Sequence, residues 1–420
     1  MAKLKTVYVC SSCGFESPKW AGQCSQCNEW NTLVEDVVEK GAAKKASVIG
    51  SASVRKISEM DHKPVERTSS GISEFDRTLG GGFVPGGVVL LGGEPGIGKS
   101  TISLQVLDKL SGLGRICYVA GEESVDQIGL RAKRLGLNLD NVDFIETNLL
   151  EEAMSVLEKG CDFIVLDSIQ VVKSIEVGGI TGGISQIRAV AEAIIGLAKS
   201  KGIPTLIVGH VTKDGELAGP KVLEHLVDTV LYIEGDKINA YRFVKAVKNR
   251  FGSTDEVGIF KMETEGLKEI PDPAQEFIED REELVLGSAL ACAIEGNRPF
   301  VIEVQALCTP SAFGYPKRSA TGFDMGRLNM IVAVLSKYFG VDLSNQDVFV
   351  NISGGFKVRD TACDLAVMQA IMSSYKKQPL KQDTVHIGEI SLTGKVKKVA
   401  YQDLREKEVK RLGFKVDLKP

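Results

Sequence analysis

The chain has 420 residues, enough for about three domains. Hydrophobic residues make up 43% and charged residues 25%, an ordinary globular composition that puts no limit on core size. The formal net charge of −4 argues against wholesale wrapping by nucleic acid, although a cleft or ring can be locally basic within an acidic whole. Met1–Lys5 carries no apolar leader run and no stretch of about eighteen apolar residues offers a membrane span, so the sequence points to the cytoplasm and away from membranes.

Four of the nine cysteines lie within the first 27 residues. Cys10-x-x-Cys13 and Cys24-x-x-Cys27 form two knuckles ten residues apart. Each knuckle aims two thiolates at one point, and together they suit a tetrahedral Zn²⁺ site. Two disulfides would not survive a reducing compartment, and a redox motif needs a single C-x-x-C in a βαβ setting. Four cysteine ligands leave no open position, so the metal is expected to be structural. Tyr8, Phe15, Trp20 and Trp30 are expected to form the small core of this unit, with tight turns near Gly14 and Gly22. The other cysteines (Cys117, Cys161, Cys292, Cys308, Cys363) are scattered among mostly apolar neighbours and read as small reduced hydrophobes.

Residues 1–34 are thus a zinc unit, and residues 35–63, small and polar, read as a linker in which His62 is solvated. A short helix follows, with Ser73 as the expected N-cap and Phe75 and Leu79 on one face. Next comes the apolar run Gly87–Gly92, then Gly93-Glu94-Pro95-Gly96-Ile97-Gly98-Lys99-Ser100-Thr101, then helically spaced Ile102, Leu104, Val106, Leu107 and Leu110. Strand, G-x-x-x-x-G-K-[ST] and helix make a P-loop. Its glycines let backbone N–H groups approach phosphate oxygens, Lys99 reaches the β- and γ-phosphates, and Ser100 suits Mg²⁺.

The run Arg115–Ala120 reads as a second strand, ending in Gly121-Glu122-Glu123-Ser124. Acids at the C-terminal end of such a strand lie over the ligand crevice of an open α/β sheet. One of them could activate the water that attacks a γ-phosphate, or both could simply favour the following helix N-terminus. Phe163–Asp167 has four apolar residues and an acid, the Walker-B pattern that holds Mg²⁺. Gly-rich residues 174–185 and the stretch Lys213–Pro220 read as mobile loops at the same edge of the sheet. Between them lie a helix from Ile184 to Lys199 and a strand ending in His210, which could sense a γ-phosphate or be merely hydrogen-bonded. A strand from Ala240 to Val247 delivers Lys248-Asn249-Arg250-Phe251-Gly252. Two cations and an aromatic on a turn can bind nucleic-acid phosphate, complete a neighbour's ATP site, or lie solvated.

Pro271-Asp272-Pro273 marks a boundary, and the pattern beyond it is α+β. Expected elements are strands at 300–307, 348–352 and 386–390 and helices at 327–339 and 361–372. Residues 381–420 hold ten Lys and Arg against six Asp and Glu, which offers a basic face. The chain stops within what reads as a strand, a pattern that leaves room for one further element.

The zinc unit with Pro18-Lys19-Trp20-Ala21-Gly22, the P-loop, Gly121–Ser124, the Lys248–Gly252 turn and the α+β tail together resemble the bacterial RadA (Sms) family of DNA-repair proteins. The resemblance covers almost the whole chain. It implies a RecA-like ATPase core with a mostly parallel sheet over 64–270 and a Lon-protease-like domain over 271–420. It also implies Glu122 as the catalytic glutamate in preference to Glu123, and Lys99, Ser100 and Asp167 in the ATP and Mg²⁺ roles. Lys248 and Arg250 would act at a subunit interface of a homo-hexameric ring, and loops near Gly178 and Asp214 would face single-stranded DNA. A RecA-type recombinase is the implied partner. The tail departs from Lon: Ala362 aligns with the nucleophilic serine, and Arg405, or Lys407 with another gap, with the paired lysine. Arg cannot lose its proton to serve a dyad, though a one-residue shift would offer Cys363 as nucleophile. The expected function is an ATP-driven motor on single-stranded or branched DNA in recombinational repair, with Glu122, Lys99, Lys248 and Arg250 as catalytic residues. An ATP-dependent Lon-like protease, a clock-type ATPase and an ATP-switched DNA-binding scaffold are the rival readings.

Overall fold

The computed structural model describes residues 4–39, 66–210, 221–235, 240–278, 285–312, 315–355 and 357–419. His62 and the loop Lys213–Pro220, with Asp214, lie outside them. The chain divides into two compact units, Met1–Glu269 and Ile270–Pro420. Among the described residues no helix is long and apolar enough to cross a membrane.

The zinc unit is a three-stranded antiparallel sheet of β1 (Leu4–Cys10), β2 (Glu16–Ser17) and β3 (Leu33–Glu39), with β1 in the middle. Strand β3 pairs with β1 from Cys10↔Leu33 out to Leu4↔Glu39, so the first five residues expected in the linker are strand. Both knuckles close alike. Gly14 N donates to Cys10 O and Asn28 N to Cys24 O, each at 2.9 Å. Both donors have left-handed φ, +73° and +59°; glycine and asparagine are the residues that tolerate this backbone. The small core differs from expectation. Cys10, Cys24 and Leu33 are buried with Tyr8 and Phe15 against them, whereas Trp20 and Trp30 are 60% and 69% exposed. So small a sheet cannot enclose two indoles, and the metal site takes their place as its centre.

The nucleotide core is built from α1 (Ser73–Leu79), β4 (Val88–Gly93), α2 (Lys99–Lys109), β5 (Ile116–Ala120), α3 (Val125–Leu135), β6 (Val142–Glu146), α4 (Leu150–Leu157), β7 (Phe163–Asp167), α5 (Ile184–Lys201), β8 (Thr205–Val208), α6 (Lys221–Leu226), β9 (Thr229–Glu234), β10 (Tyr241–Asn249), β11 (Val257–Glu263) and β12 (Gly266–Glu269). Its nine strands run β12-β11-β10-β9-β4-β8-β7-β5-β6, parallel from β9 to β6 and antiparallel from β9 to β12. Strand side chains alternate between two helical layers. Val89 and Leu91 pack with Phe75, Leu79, Ile102, Leu107 and Ile128, while Val88 and Leu90 pack with Leu150, Leu157, Ile187, Ile194 and Leu223. Burial on both faces explains why these strands read as unbroken apolar runs.

Two details differ from expectation. Ser73 is not the N-cap of α1: that place falls to Ile72, which makes no side-chain cap. Glu269 of β12 caps the helix instead, accepting from Ser73 Oγ at 2.8 Å and Glu74 N at 3.2 Å. A carboxylate there also offsets the helix dipole. Strands β11 and β12 have no counterpart in the sequence reading.

The second unit comprises α7 (Pro273–Phe277), β13 (Ser288–Glu295), β14 (Arg298–Pro310), β15 (Arg318–Thr321), α8 (Met325–Tyr338), β16 (Gln346–Ile352), α9 (Asp364–Lys376), β17 (Thr384–His386), β18 (Glu389–Ile390), β19 (Val396–Lys397), α10 (Gln402–Arg411) and β20 (Lys415–Asp417). Six strands form a mixed sheet in the order β15-β16-β14-β13-β17-β20, and β18 pairs with β19. The single strand expected over 386–390 is therefore two, in different sheets. Ile387 and Gly388 leave the ladder between them, and Gly388 N donates to Ala362 O at 2.9 Å. The helix expected from Thr361 begins as a 3₁₀ turn over Thr361–Cys363, with Asp360 accepting from Ala362 N at 3.0 Å.

Candidate functional site

A cleft of about 430 Å³ opens at the C-terminal ends of β4, β5, β7 and β8. The P-loop joins β4 to α2 beneath it. Gly96 has φ +77°. Gly98 has φ +120°, and a Cβ there would meet Met262 Cε at 2.8 Å. Both positions therefore demand glycine. Lys99 is 4% exposed. Its ammonium donates to Gly93 O at 2.9 Å and Glu94 O at 3.0 Å, and among the described residues it forms no ion pair with a carboxylate. Burial lowers its pKa, against the charges of Asp167 and Glu122. A buried cation held by carbonyls is a fitting counter-charge for phosphate.

Asp167 ends β7 and is buried. Burial raises its pKa, against hydrogen bonds from the Tyr118 and Ser100 hydroxyls. The Tyr118 hydroxyl donates to Oδ2 at 2.6 Å. A serine hydroxyl and a carboxylate in contact at the root of the P-loop are the oxygen donors that suit Mg²⁺.

Glu122 follows β5 and lines the cleft with Lys99, Ser100, Asp167 and His210. Its Oε2 accepts from His210 Nε2 at 3.0 Å and Ser168 Oγ at 3.2 Å. Burial pushes its pKa up, but His210, Ser168 and Lys99 outweigh that and leave it below the usual glutamate value. Glu122 is thus an ionised acceptor at neutral pH. Glu123 is engaged elsewhere, in an ion pair with Arg131 at 2.6 Å. Ser124 begins α3 with a capping box shared with Gln127. The cleft therefore brings together Lys99, Ser100, Thr101, Glu122, Asp167 and His210 of the residues singled out in the sequence and adds Tyr118, with Ser168 reaching Glu122 from behind it.

Lys248 and Arg250 do not line the cleft. Lys248 Nζ donates to the carbonyls of Glu224, His225 and Val227 at 2.5, 3.3 and 2.8 Å, at the C-terminal end of α6. Arg250 Nη1 bonds Asp228 Oδ1 at 3.0 Å, and Asn249 Nδ2 reaches Leu79 O at 3.2 Å.

The four Sγ atoms of Cys10, Cys13, Cys24 and Cys27 all lie within 4.8 Å of one another, and Cys10–Cys27 and Cys13–Cys24 are each 3.6 Å apart. A zinc ion with bonds of about 2.3 Å to sulfur needs ligand separations of about 3.8 Å. The set fits a closed, structural site.

In the second unit no nucleophile–base pair forms at the aligned positions. Arg405 is buried, and its Nη1 pairs with Asp360 Oδ2 at 2.6 Å and donates to Cys292 O at 2.5 Å. Cys363 is fully buried, which drives its thiol pKa well up. Lys407 is exposed, beside Lys398 and Tyr401 in a surface cleft.

The fold and these two sites define a P-loop ATPase carrying a four-cysteine zinc unit. A family model described as an AAA domain matches residues 58–216, and one described as a rubredoxin metal binding domain matches residues 8–35. The DNA repair protein RadA of Streptococcus pyogenes serotype M6 is 46% identical over 99% of this chain and 92% of its own. The proteins of that name from Bacillus subtilis and Aquifex aeolicus are 44% and 45% identical over 99% and 100% of this chain, and 92% and 94% of theirs. The chain belongs to the RadA family of DNA repair proteins. Among solved structures, a KaiC-like protein from Pyrococcus horikoshii OT3 is 23% identical, with a TM-score of 0.42 over 50% of this chain and 100% of that one.

Proposed function

We propose that this chain is an ATP-dependent motor that moves on single-stranded or branched DNA during recombinational repair, working as a homo-hexameric ring. The observation that carries the reading is the convergence of Lys99, the Ser100–Asp167 pair and Glu122 on one cleft. On this reading Lys99 exchanges its two carbonyls for β- and γ-phosphate oxygens when ATP enters. Glu122 takes the proton of a water whose oxygen attacks the γ-phosphorus, while the bond to the ADP oxygen breaks. Mg²⁺ held by Ser100 and Asp167 would supply positive charge to the phosphates. The cis site is then finished by a neighbour's Arg250, half of whose side chain is open to solvent. The Gly-rich stretch 174–183, at the same sheet edge, would face the DNA backbone. A RecA-type recombinase, by family resemblance, would supply the joint molecules.

Replacement of the Lon-type serine by Ala362, burial of Cys363 and the Arg405–Asp360 pair argue against the protease reading. The test is ATP turnover with and without single-stranded DNA, together with branch migration of a three-strand junction, for wild type, Lys99→Ala and Arg250→Ala. Both variants should lose migration, and DNA should accelerate wild-type turnover. Turnover indifferent to DNA, with no migration by the wild type, would sink the motor.

A further inference from the structure

Glu122 is held by two donors, and both land on the same oxygen. His210 Nε2 lies 3.0 Å and Ser168 Oγ 3.2 Å from Oε2. Among the described residues Oε1 accepts no hydrogen bond. The three groups come from three adjacent parts of the fold, the ends of β5, β7 and β8. His210 is itself tied down, since its carbonyl accepts from Gln170 Nε2 at 3.4 Å. Among the described residues its other ring nitrogen, Nδ1, is buried with no hydrogen-bond partner, so of those contacts the bond to Glu122 is the one that orients the ring.

Resting on the ATPase reading above, we infer that His210 and Ser168 are positioning residues that select Oε1 as the oxygen that takes the proton from the attacking water. An oxygen already accepting two hydrogen bonds is a weak base, because each donor stabilises its charge. Its partner keeps its lone pairs. The clamp also removes rotation about the last bond of a flexible side chain, and reach to the proton decides whether a base works. Neither residue touches the reacting atoms in this role.

Five variants of the full chain test this, with kcat and KM for ATP measured beside the affinity of a fluorescent ATP analogue. His210→Ala should lower kcat about tenfold, part of the gain a positioned base provides, with KM and analogue affinity within about twofold of wild type. His210→Gln keeps an N–H donor at the same reach and should recover most of that loss, and Ser168→Ala should lose less than His210→Ala. In a Glu122→Gln background, His210→Ala should cost nothing further in single-turnover rate. A kcat loss of the same size in that background would overturn the inference, because it would show His210 acting independently of Glu122. So would failure of His210→Gln to recover, or a His210→Ala kcat equal to wild type. Absence of turnover in the wild-type chain would instead overturn the ATPase reading.

Discussion

Lys248 offers the sharpest division between two roles for the Lys248–Gly252 turn. The family resemblance gives it a catalytic role at a neighbour's site, yet its ammonium lies among three carbonyls at the end of α6. Lys248→Met keeps the length of the stem and removes the donors. Hydrogen bonds to a charged group contribute about 1.5–3 kcal/mol when well desolvated, but this amine is partly solvated, which scales the set to about 1–2 kcal/mol. For a unit of this size that lowers the melting temperature by about 2–4 °C. Lys248→Arg, which keeps donors at similar reach, should lose less. Arg250→Ala removes one exposed ion pair and should change the melting temperature by less than Lys248→Met. The decisive assay mixes subunits. A ring of Lys99→Ala and Arg250→Ala chains recovers some turnover if Arg250 serves a neighbour's site. Lys248→Met loosens the turn that carries Arg250 but leaves its own cleft intact, so it should lower the melting temperature and still recover turnover when mixed with Lys99→Ala, as Arg250→Ala does. A Lys248→Met chain that melts like wild type yet complements Lys99→Ala would refute this reasoning and return the ammonium to the neighbour's site.

Chelation of zinc, or Cys27→Ser, should unfold the N-terminal unit alone. The chain has only two tryptophans, both in that unit, so a fall in tryptophan anisotropy without change in ATP binding is the expected signature. Casein incubated with the chain and ATP should remain intact, and Cys363 should resist thiol reagents until the fold is opened by urea; protection lost in native buffer would contradict its burial. Burial pushes the Asp364 carboxyl up to about 6, against the Arg327 hydrogen bond that lowers it. Folding then favours the protonated form, whose stabilisation is full below the ordinary aspartate range and lost as pH rises through about 6. Between about pH 5 and about pH 7.5, wild type should lose roughly 1–1.5 kcal/mol relative to Asp364→Asn in urea unfolding. A gap that does not move with pH would refute it.

The parts of this fold that announce themselves in sequence are those where local chemistry and tertiary role coincide. Buried parallel strands such as Phe163–Asp167 must be apolar throughout, and a P-loop must have glycine where φ is positive, so both are legible. Tyr118 was not, because an aromatic one turn of the pleat before the strand end looks like any core residue. Its hydroxyl finds Asp167 only once β7 lies beside β5. The cap of α1 is invisible for a similar reason, since Glu269 is 196 residues beyond Ser73. Val257–Glu263 and Gly266–Glu269 lack a clear alternation, and the pairing of β11 with β10 and of β12 with β11 supplies what their own propensity does not. The Lys248 cage likewise depends on where α6 ends. Trp20 and Trp30 misled because aromatics in a small unit suggest a core, while here the four thiolates occupy the centre.

Charge bookkeeping in the cleft supports the view that the P-loop is half of a site. Its described lining holds four cations (Lys99, Arg131, Arg134 and Arg242) against three carboxylates (Glu122, Glu123 and Asp167), a surplus of one positive charge. Arg131 and Glu123 neutralise each other directly, and Arg242 Nε is turned to Ile97 O at 3.3 Å. Magnesium-bound ATP brings about two net negative charges, and its γ-phosphate bears more of that charge as transfer proceeds. One chain therefore leaves roughly one negative charge uncompensated where it develops. On the proposed reading a cation from a neighbouring chain would meet that need, and Arg250, whose guanidinium pairs with Asp228 in its own chain beside the Lys248 cage, is the residue proposed to supply it. Adding a second copy of the chain should thus raise turnover per subunit, whereas Arg250→Ala should make turnover per subunit independent of concentration.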